Sequence, residues 1–86
     1  MGHYVVAEVV NERISIDETR YYSFESAVRG LKEWVAEIRQ TARVKKLYAH
    51  WSKDQRRVEL TLGRDRNSAL FTRLGVYTNS EIENFL

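Results

Sequence analysis

The stretch SFESAVRGLKEWVAEIRQTA, residues 23–42, decides the fold. Phe24, Ala27, Val28, Leu31, Trp34, Val35, Ile38 and Ala42 recur at helical spacing and form one apolar stripe. Glu25, Arg29, Lys32, Glu33, Glu37 and Gln40 fall on the opposite side. Ser23 suits the N-cap, because its hydroxyl can accept from backbone N–H groups that the first turn leaves free. The pattern predicts an amphipathic helix from Phe24 to Ala42 that lies across a sheet. Gly30 sits on its exposed side, where glycine costs about 1 kcal/mol against alanine. It reads as drift at a tolerant surface position, with close approach of another backbone as the functional alternative.

The segments on either side read as strands. In Tyr4–Val10, Val5, Ala7 and Val9 share one face and Tyr4, Val6, Glu8 and Val10 the other. Both faces are largely apolar, which predicts a central strand or one covered on both sides. Asn11 and Glu12 form a turn, and Ile14 and Ile16, then Thr19–Tyr22, continue as strand with Asp17 and Glu18 as a bend. Beyond the helix, Leu47, Ala49 and Trp51 alternate with Lys46, Tyr48 and His50, and Val58, Leu60 and Leu62 alternate with Arg57, Glu59 and Thr61. This period of two predicts a hairpin with Ser52–Arg56 as its loop and Gly63 as its end.

The last segment reads as two short helices. Asn67 or Ser68 caps Ala69–Leu74, Gly75 supplies a left-handed stop, and Thr78 with Glu81 forms a capping box for a helix running to Leu86. Ile82, Phe85 and Leu86 are its apolar contacts. The order resembles a helix-turn-helix, but the second helix carries Glu81 and Glu83 and no cation, so it would repel phosphates. A helical flap that closes the core or forms a dimer contact is the stronger expectation. The whole is one domain, residues 1–86, with a core at 3–63 and a helical tail at 67–86. The expected fold is α+β: an antiparallel sheet of about four strands in ββαββ order with the long helix on one face. If the tail leaves Val6 and Val10 uncovered, they favour a homodimer.

Composition narrows the function. Hydrophobic residues make up 43% and charged residues 30%, as in folded globular chains. The absence of cysteine excludes disulfides, thiolate zinc sites and thiol nucleophiles. No stretch has the run of about 20 apolar residues a membrane helix needs. Val5–Val10 is too short for a signal peptide and is interrupted by Glu8, so the cytoplasm is the expected location. Met1-Gly2-His3 reads in part as a cloning scar, and His3 carries little weight.

Charge is the informative feature. The net charge is +2, but residues 39–73 hold ten basic and three acidic side chains, whereas residues 1–38 hold four basic and seven acidic ones. Lys46, Tyr48, His50 and Arg57 are expected on the outward face of the hairpin, with Lys53, Arg56, Arg64 and Arg66 at its ends and Arg43 and Lys45 leading into it. Cations interleaved with an aromatic ring suit a phosphate backbone with a stacked base. They suit an acidic protein surface equally well. A solvated face that keeps the protein soluble is the plain alternative, and Glu59 dilutes the row.

Catalysis finds little support. His50 with Asp54 or Glu59 is the one acid–base grouping, and no nucleophile motif, phosphate loop or paired histidine ligands accompany it. No catalytic residue, metal or cofactor is assigned.

The succession of strand pair, Ser-capped helix (Ser23-Phe24-Glu25-Ser26-Ala27-Val28) and polar-turn hairpin resembles, at the level of architecture, small proteins that phages and mobile elements turn on host machinery. Anti-CRISPR proteins and host-polymerase inhibitors are among them. The resemblance spans about residues 3–63 and carries over no residue. It implies a non-enzymatic inhibitor that binds a host protein or nucleoprotein complex, for which the basic hairpin read from the charge pattern offers the surface. Direct binding of DNA or RNA is the alternative.

Overall fold

The computed structural model describes residues 3–85, with side chains through Asn84. The elements run β1 (Tyr4–Val10), β2 (Arg13–Ile16), α1 (Phe24–Thr41), β3 (Tyr48–Trp51), β4 (Arg57–Thr61), β5 (Leu70–Thr78) and α2 (Asn79–Phe85). The strands form one antiparallel sheet in the order β2-β1-β5-β4-β3. The architecture is α+β, with five strands in place of four and a last strand that breaks the ββαββ order.

The long helix forms where its stripe predicts. The Ser23 hydroxyl accepts from the Ser26 N–H at 3.1 Å. Ala42 gives its N–H to the Ile38 carbonyl at 2.8 Å, then its own backbone turns extended and ends the helix. Ala27, Val28, Leu31 and Val35 pack on Val6, Val58, Leu60, Leu74 and Val76 of the sheet. Each valine or leucine among them contributes roughly 1.5–3 kcal/mol when fully buried.

The opposite sheet face has a smaller core. Val5, Ala7 and Tyr77 meet Ile82 of α2, with Val9, Ile14 and Ile16 partly buried beside them. Strand β1 is therefore covered on both sides, which explains its two apolar rows. Val6 lies fully buried under α1 and Val10 is half-buried, so the open pair expected to favour a dimer does not exist.

The largest correction concerns residues 67–78. Ala69–Leu74 is not a helix; Leu70–Thr78 is the nine-residue strand β5, and it fills the slot between β1 and β4. Thr72, Leu74 and Val76 alternate with Arg73, Gly75 and Tyr77, and burial of the first row together with Gly75 and Tyr77 of the second overrides the local helix signals. Asn67 and Ser68 cap nothing: their N–H groups turn back to Asp65 Oδ1 and the Asp65 carbonyl, at 3.0 and 2.9 Å. Gly75 adopts no left-handed conformation. The helix-turn-helix reading falls with its first helix.

The Thr78–Glu81 capping box does form. Thr78 N–H donates to Glu81 Oε1 at 3.0 Å and Glu81 N–H to Thr78 Oγ1 at 3.2 Å. The contacts expected of Phe85 and Leu86 lie outside the described side chains.

Two local readings change. Thr19–Tyr22 is not a strand, because Asp17 Oδ1 takes the Thr19 N–H at 3.2 Å and folds the chain into a turn; only Tyr21 pairs, across from Tyr4. Gly30 is not idle. A Cβ there would stand 2.3 Å from the Tyr21 hydroxyl, so the glycine admits that ring against the helix. Asn11 and Glu12, both at positive φ, close the two-residue β1–β2 turn as expected. No helix among the described residues is long and apolar enough to cross a membrane.

Candidate binding surface

The basic stretch forms the paired strands its alternation predicts. Tyr48 lies opposite Thr61, Ala49 opposite Leu60, His50 opposite Glu59 and Trp51 opposite Val58. Ala49, Trp51, Val58 and Leu60 belong to the core under α1. The alternate row of Tyr48, His50, Arg57, Glu59 and Thr61 therefore faces the other way. The hairpin loop holds itself together. The Ser52 hydroxyl donates to Asp54 Oδ1 at 2.7 Å, and the Arg56 N–H donates to the same oxygen at 3.0 Å. These bonds, the Ser52 hydroxyl first, hold the Asp54 carboxyl below the usual carboxylate range.

The ten residues assigned to partner binding divide into three groups. Arg56 and Arg57 are internal fasteners. Arg56 Nε donates to the Val76 carbonyl at 3.1 Å and its Nη2 pairs with Glu81. Arg57 lies over the Tyr77 ring, 4.0 Å from its centroid. It donates from Nη1 to the Val76 carbonyl at 2.6 Å and from Nη2 to Glu81 Oε2 at 3.3 Å. Gly75 makes this crossing possible: a Cβ there would stand 2.8 Å from Arg57 Cδ and 3.2 Å from the Arg56 carbonyl oxygen. The Glu81 carboxyl is held low, chiefly by the Thr78 N–H and then by the two guanidinium charges.

Arg43, Lys45, Lys46, Lys53, Arg64 and Arg66 form the second group. All are exposed, and among the described residues none makes an ion pair. Arg43, Lys45 and Lys46 lie in the connection feeding β3, Lys53 in the hairpin loop, and Arg64 and Arg66 in the connection leaving β4. They ring the hairpin and do not stand on one of its faces. Lys46 Nζ sits 5.0 Å above the Tyr48 ring.

Tyr48 and His50 are the third group, half-buried on the outward row. Thr61 donates its hydroxyl to the Gly63 carbonyl at 2.7 Å, so it accepts from His50 Nε2 at 2.8 Å, and Nε2 carries the proton. Each acid–base candidate is thus engaged elsewhere: His50 with Thr61, Asp54 with Ser52 and Arg56, and Glu59 with Arg73 at 2.7 Å. A depression of about 290 Å³ on this row is lined by His50, Arg57, Glu59, Arg66, Arg73 and Tyr77.

Sequence reading missed two features. Arg73 projects beside Glu59 because β5 is a strand, and the Thr72-Leu74-Val76 alternation was its available signal. Leu62, Leu70 and Phe71 stay 47%, 41% and 36% exposed around the basic β4–β5 connection, where Leu62 N–H bonds the Ala69 carbonyl. At the other edge of the sheet a groove of about 640 Å³ lies between β2, the turn after it and α1. Asp17, Glu18, Glu33 and Glu37 line it with Tyr21 and Trp34. Burial, then the Asp17 and Glu33 charges, push the Tyr21 hydroxyl pKa up. Four carboxylates thus gather at the β2 side of the sheet, and the exposed cations flank the hairpin that ends in the opposite edge strand, β3.

Comparison with known proteins adds no relative: no protein-family model matches the chain, and no curated protein and no solved structure is significantly similar to it.

Proposed function

We propose that this protein is a non-enzymatic binding module whose basic hairpin docks on an acidic surface of a protein or nucleoprotein complex. The observation that carries this reading is the set of six exposed cations, Arg43, Lys45, Lys46, Lys53, Arg64 and Arg66, which ring one hairpin without a carboxylate partner among the described residues. Fasteners inside the protein would be paired, as Arg56 and Arg57 are. Unpaired cations of one sign steer an anionic partner and set its orientation. Tyr48 and His50 complete the surface on the outward row; Arg56 and Arg57 support it from within. An inhibitor that occupies a site on a larger host assembly, as anti-CRISPR proteins do, is the narrowest form of this function.

A protein surface is favoured over bare nucleic acid by Leu62 and Leu70, since exposed aliphatic groups beside the cations gain from an apolar contact and offer a phosphate backbone nothing. Direct nucleic-acid binding is the second reading, supported by Lys46 over the Tyr48 ring, an arrangement suited to phosphate beside a stacked base. Capture from host extract with and without nuclease, by wild type and by a Lys46→Glu/Arg64→Glu/Arg66→Glu variant, separates the two. The first reading expects one complex that survives nuclease and is lost with charge reversal. Recovery that vanishes with nuclease, together with steep log-linear salt weakening on generic oligonucleotides, supports the second. Capture indifferent to charge reversal overturns both.

A further inference from the structure

Strand β3 is an edge of the sheet, and among the described residues no strand pairs with its outer side. In an antiparallel ladder, alternate residues turn both backbone groups toward the neighbouring strand and those between turn theirs away. Ser52 N–H bonds the Arg57 carbonyl at 2.9 Å. That register assigns Ser52, His50 and Tyr48 to the ladder with β4 and directs the N–H and C=O groups of Ala49 and Trp51 out of the sheet. One of these, the Trp51 carbonyl, receives Arg66 Nη2 at 3.5 Å, too long a contact to hold it firmly.

Proteins guard open edges with charge, and the charge used decides what the edge admits. Here Lys46 precedes β3, Lys53 follows it and Arg66 lies across its end. These cations exclude a basic strand and attract an acidic one. The other edge, β2, leads into Asp17 and Glu18 and has the opposite preference.

We propose that the outer edge of β3 takes up an extended acidic segment of a partner protein as a sixth strand. The inference rests on the basic-surface reading above and names what that surface recognises. The segment's main chain pairs with Ala49 and Trp51, Arg66 leaves the Trp51 carbonyl for a carboxylate, and Lys46 and Lys53 meet further carboxylates at the two ends. Strand addition of this kind draws affinity from main-chain bonds and selectivity from the flanking side chains.

The test uses the whole chain and a fluorescent peptide of about ten residues alternating glutamate with valine, long enough to span a strand. Ala49→Pro removes an outward N–H that the β4 ladder does not use, a substitution edge strands accept; Ala49→Ser keeps it. Wild type and Ala49→Ser are expected to bind alike, and Ala49→Pro to bind at least about tenfold more weakly. Hydrogen exchange of wild type keeps the question open if the proline variant does not fold: peptide should slow exchange at the Ala49 and Trp51 amides. Unchanged binding by folded Ala49→Pro, or exchange at both amides indifferent to peptide, overturns the inference. If the Lys46→Glu/Arg64→Glu/Arg66→Glu variant loses the peptide while Ala49→Pro keeps it, strand addition fails and the basic surface survives. If that variant binds as wild type does, the basic-surface reading itself fails. Displacement of the peptide by oligothymidylate that then binds Ala49→Pro as it binds wild type, or self-association of the free protein that Ala49→Pro abolishes, assigns the edge to nucleic acid or to a second copy and overturns the inference.

Discussion

Arg56 and Arg57 lie beneath α2 and end on Glu81 and the Val76 carbonyl; Arg64 and Arg66, a few residues further along the chain, leave the sheet in an exposed connection, with no ion pair among the described residues and, for Arg66, only the Trp51 carbonyl at 3.5 Å. The four side chains are chemically identical and belong to one basic run. What separates them is the geometry of β5 and α2, which offers the first pair a carboxylate, a carbonyl and an aromatic face, and the second pair almost nothing. A basic run is therefore two structures at once, an internal fastener and a set of exposed cations, the proposed contact. The fastener should show itself in stability, the contact in binding.

Several substitutions break or sharpen this division, beginning with the largest effect. Gly75→Val places a branched side chain where Arg57 Cδ and the Arg56 carbonyl already stand, so the fastener cannot form. A loss of about 2–3 kcal/mol in urea denaturation is expected from overpacking at such a site. Gly75→Ala should cost less.

Glu81→Ala removes the shared carboxylate and the capping box together. The pairs are partly exposed and contribute little each, and the cap contributes about 1 kcal/mol, so a total loss of about 1–2 kcal/mol is expected. The pH dependence identifies the group. The folded-state pKa of Glu81 is lowered, so its contribution is present above the unfolded carboxylate value and is lost as pH falls through the folded one. Thermal melts from neutral to acidic pH should show a decline in that window which Glu81→Gln makes shallower. An identical decline in the variant would mean that the fastening does not depend on its charge.

Gly30→Ala is a smaller perturbation. In an open helix position alanine would add about 1 kcal/mol. The Tyr21 hydroxyl and ring stand in the way, so the gain should vanish or turn into a loss of under about 1 kcal/mol. A full gain would mean that the ring moves freely. Arg64→Ala with Arg66→Ala sits at the bottom of the stability scale, within about 0.5 kcal/mol of wild type, as for exposed residues outside any network. A large loss of stability there would move these arginines into the fastener class.

How far the sequence discloses this arrangement depends on the range of the forces involved. The α1 stripe, the Ser23 cap, the alternation of β3 and β4 and the Thr78–Glu81 box are local patterns, and each forms where its spacing places it. Residues 67–75 carry local cues for a helix, a polar cap and a glycine stop. What overrides them is the vacancy between β1 and β4, which only tertiary assembly creates. The same holds for the site. That Tyr48, His50 and Arg57 share a row follows from a period of two, but the pairing of Arg56 and Arg57 with Glu81, which sets them apart from the exposed cations, joins residues about 25 apart in sequence and forms only once β5 and α2 are placed.

The position of β5 also governs how the chain comes together over time. The β1–β2 and β3–β4 hairpins share no edge, and the strand that joins them is made after both. Until residues 70–78 emerge during synthesis, each hairpin presents an unsatisfied inner edge, and a two-stranded ribbon is marginally stable by itself. The nascent protein therefore waits for its keystone with two adhesive margins exposed, a state open to chaperones and prone to mispairing with neighbouring chains.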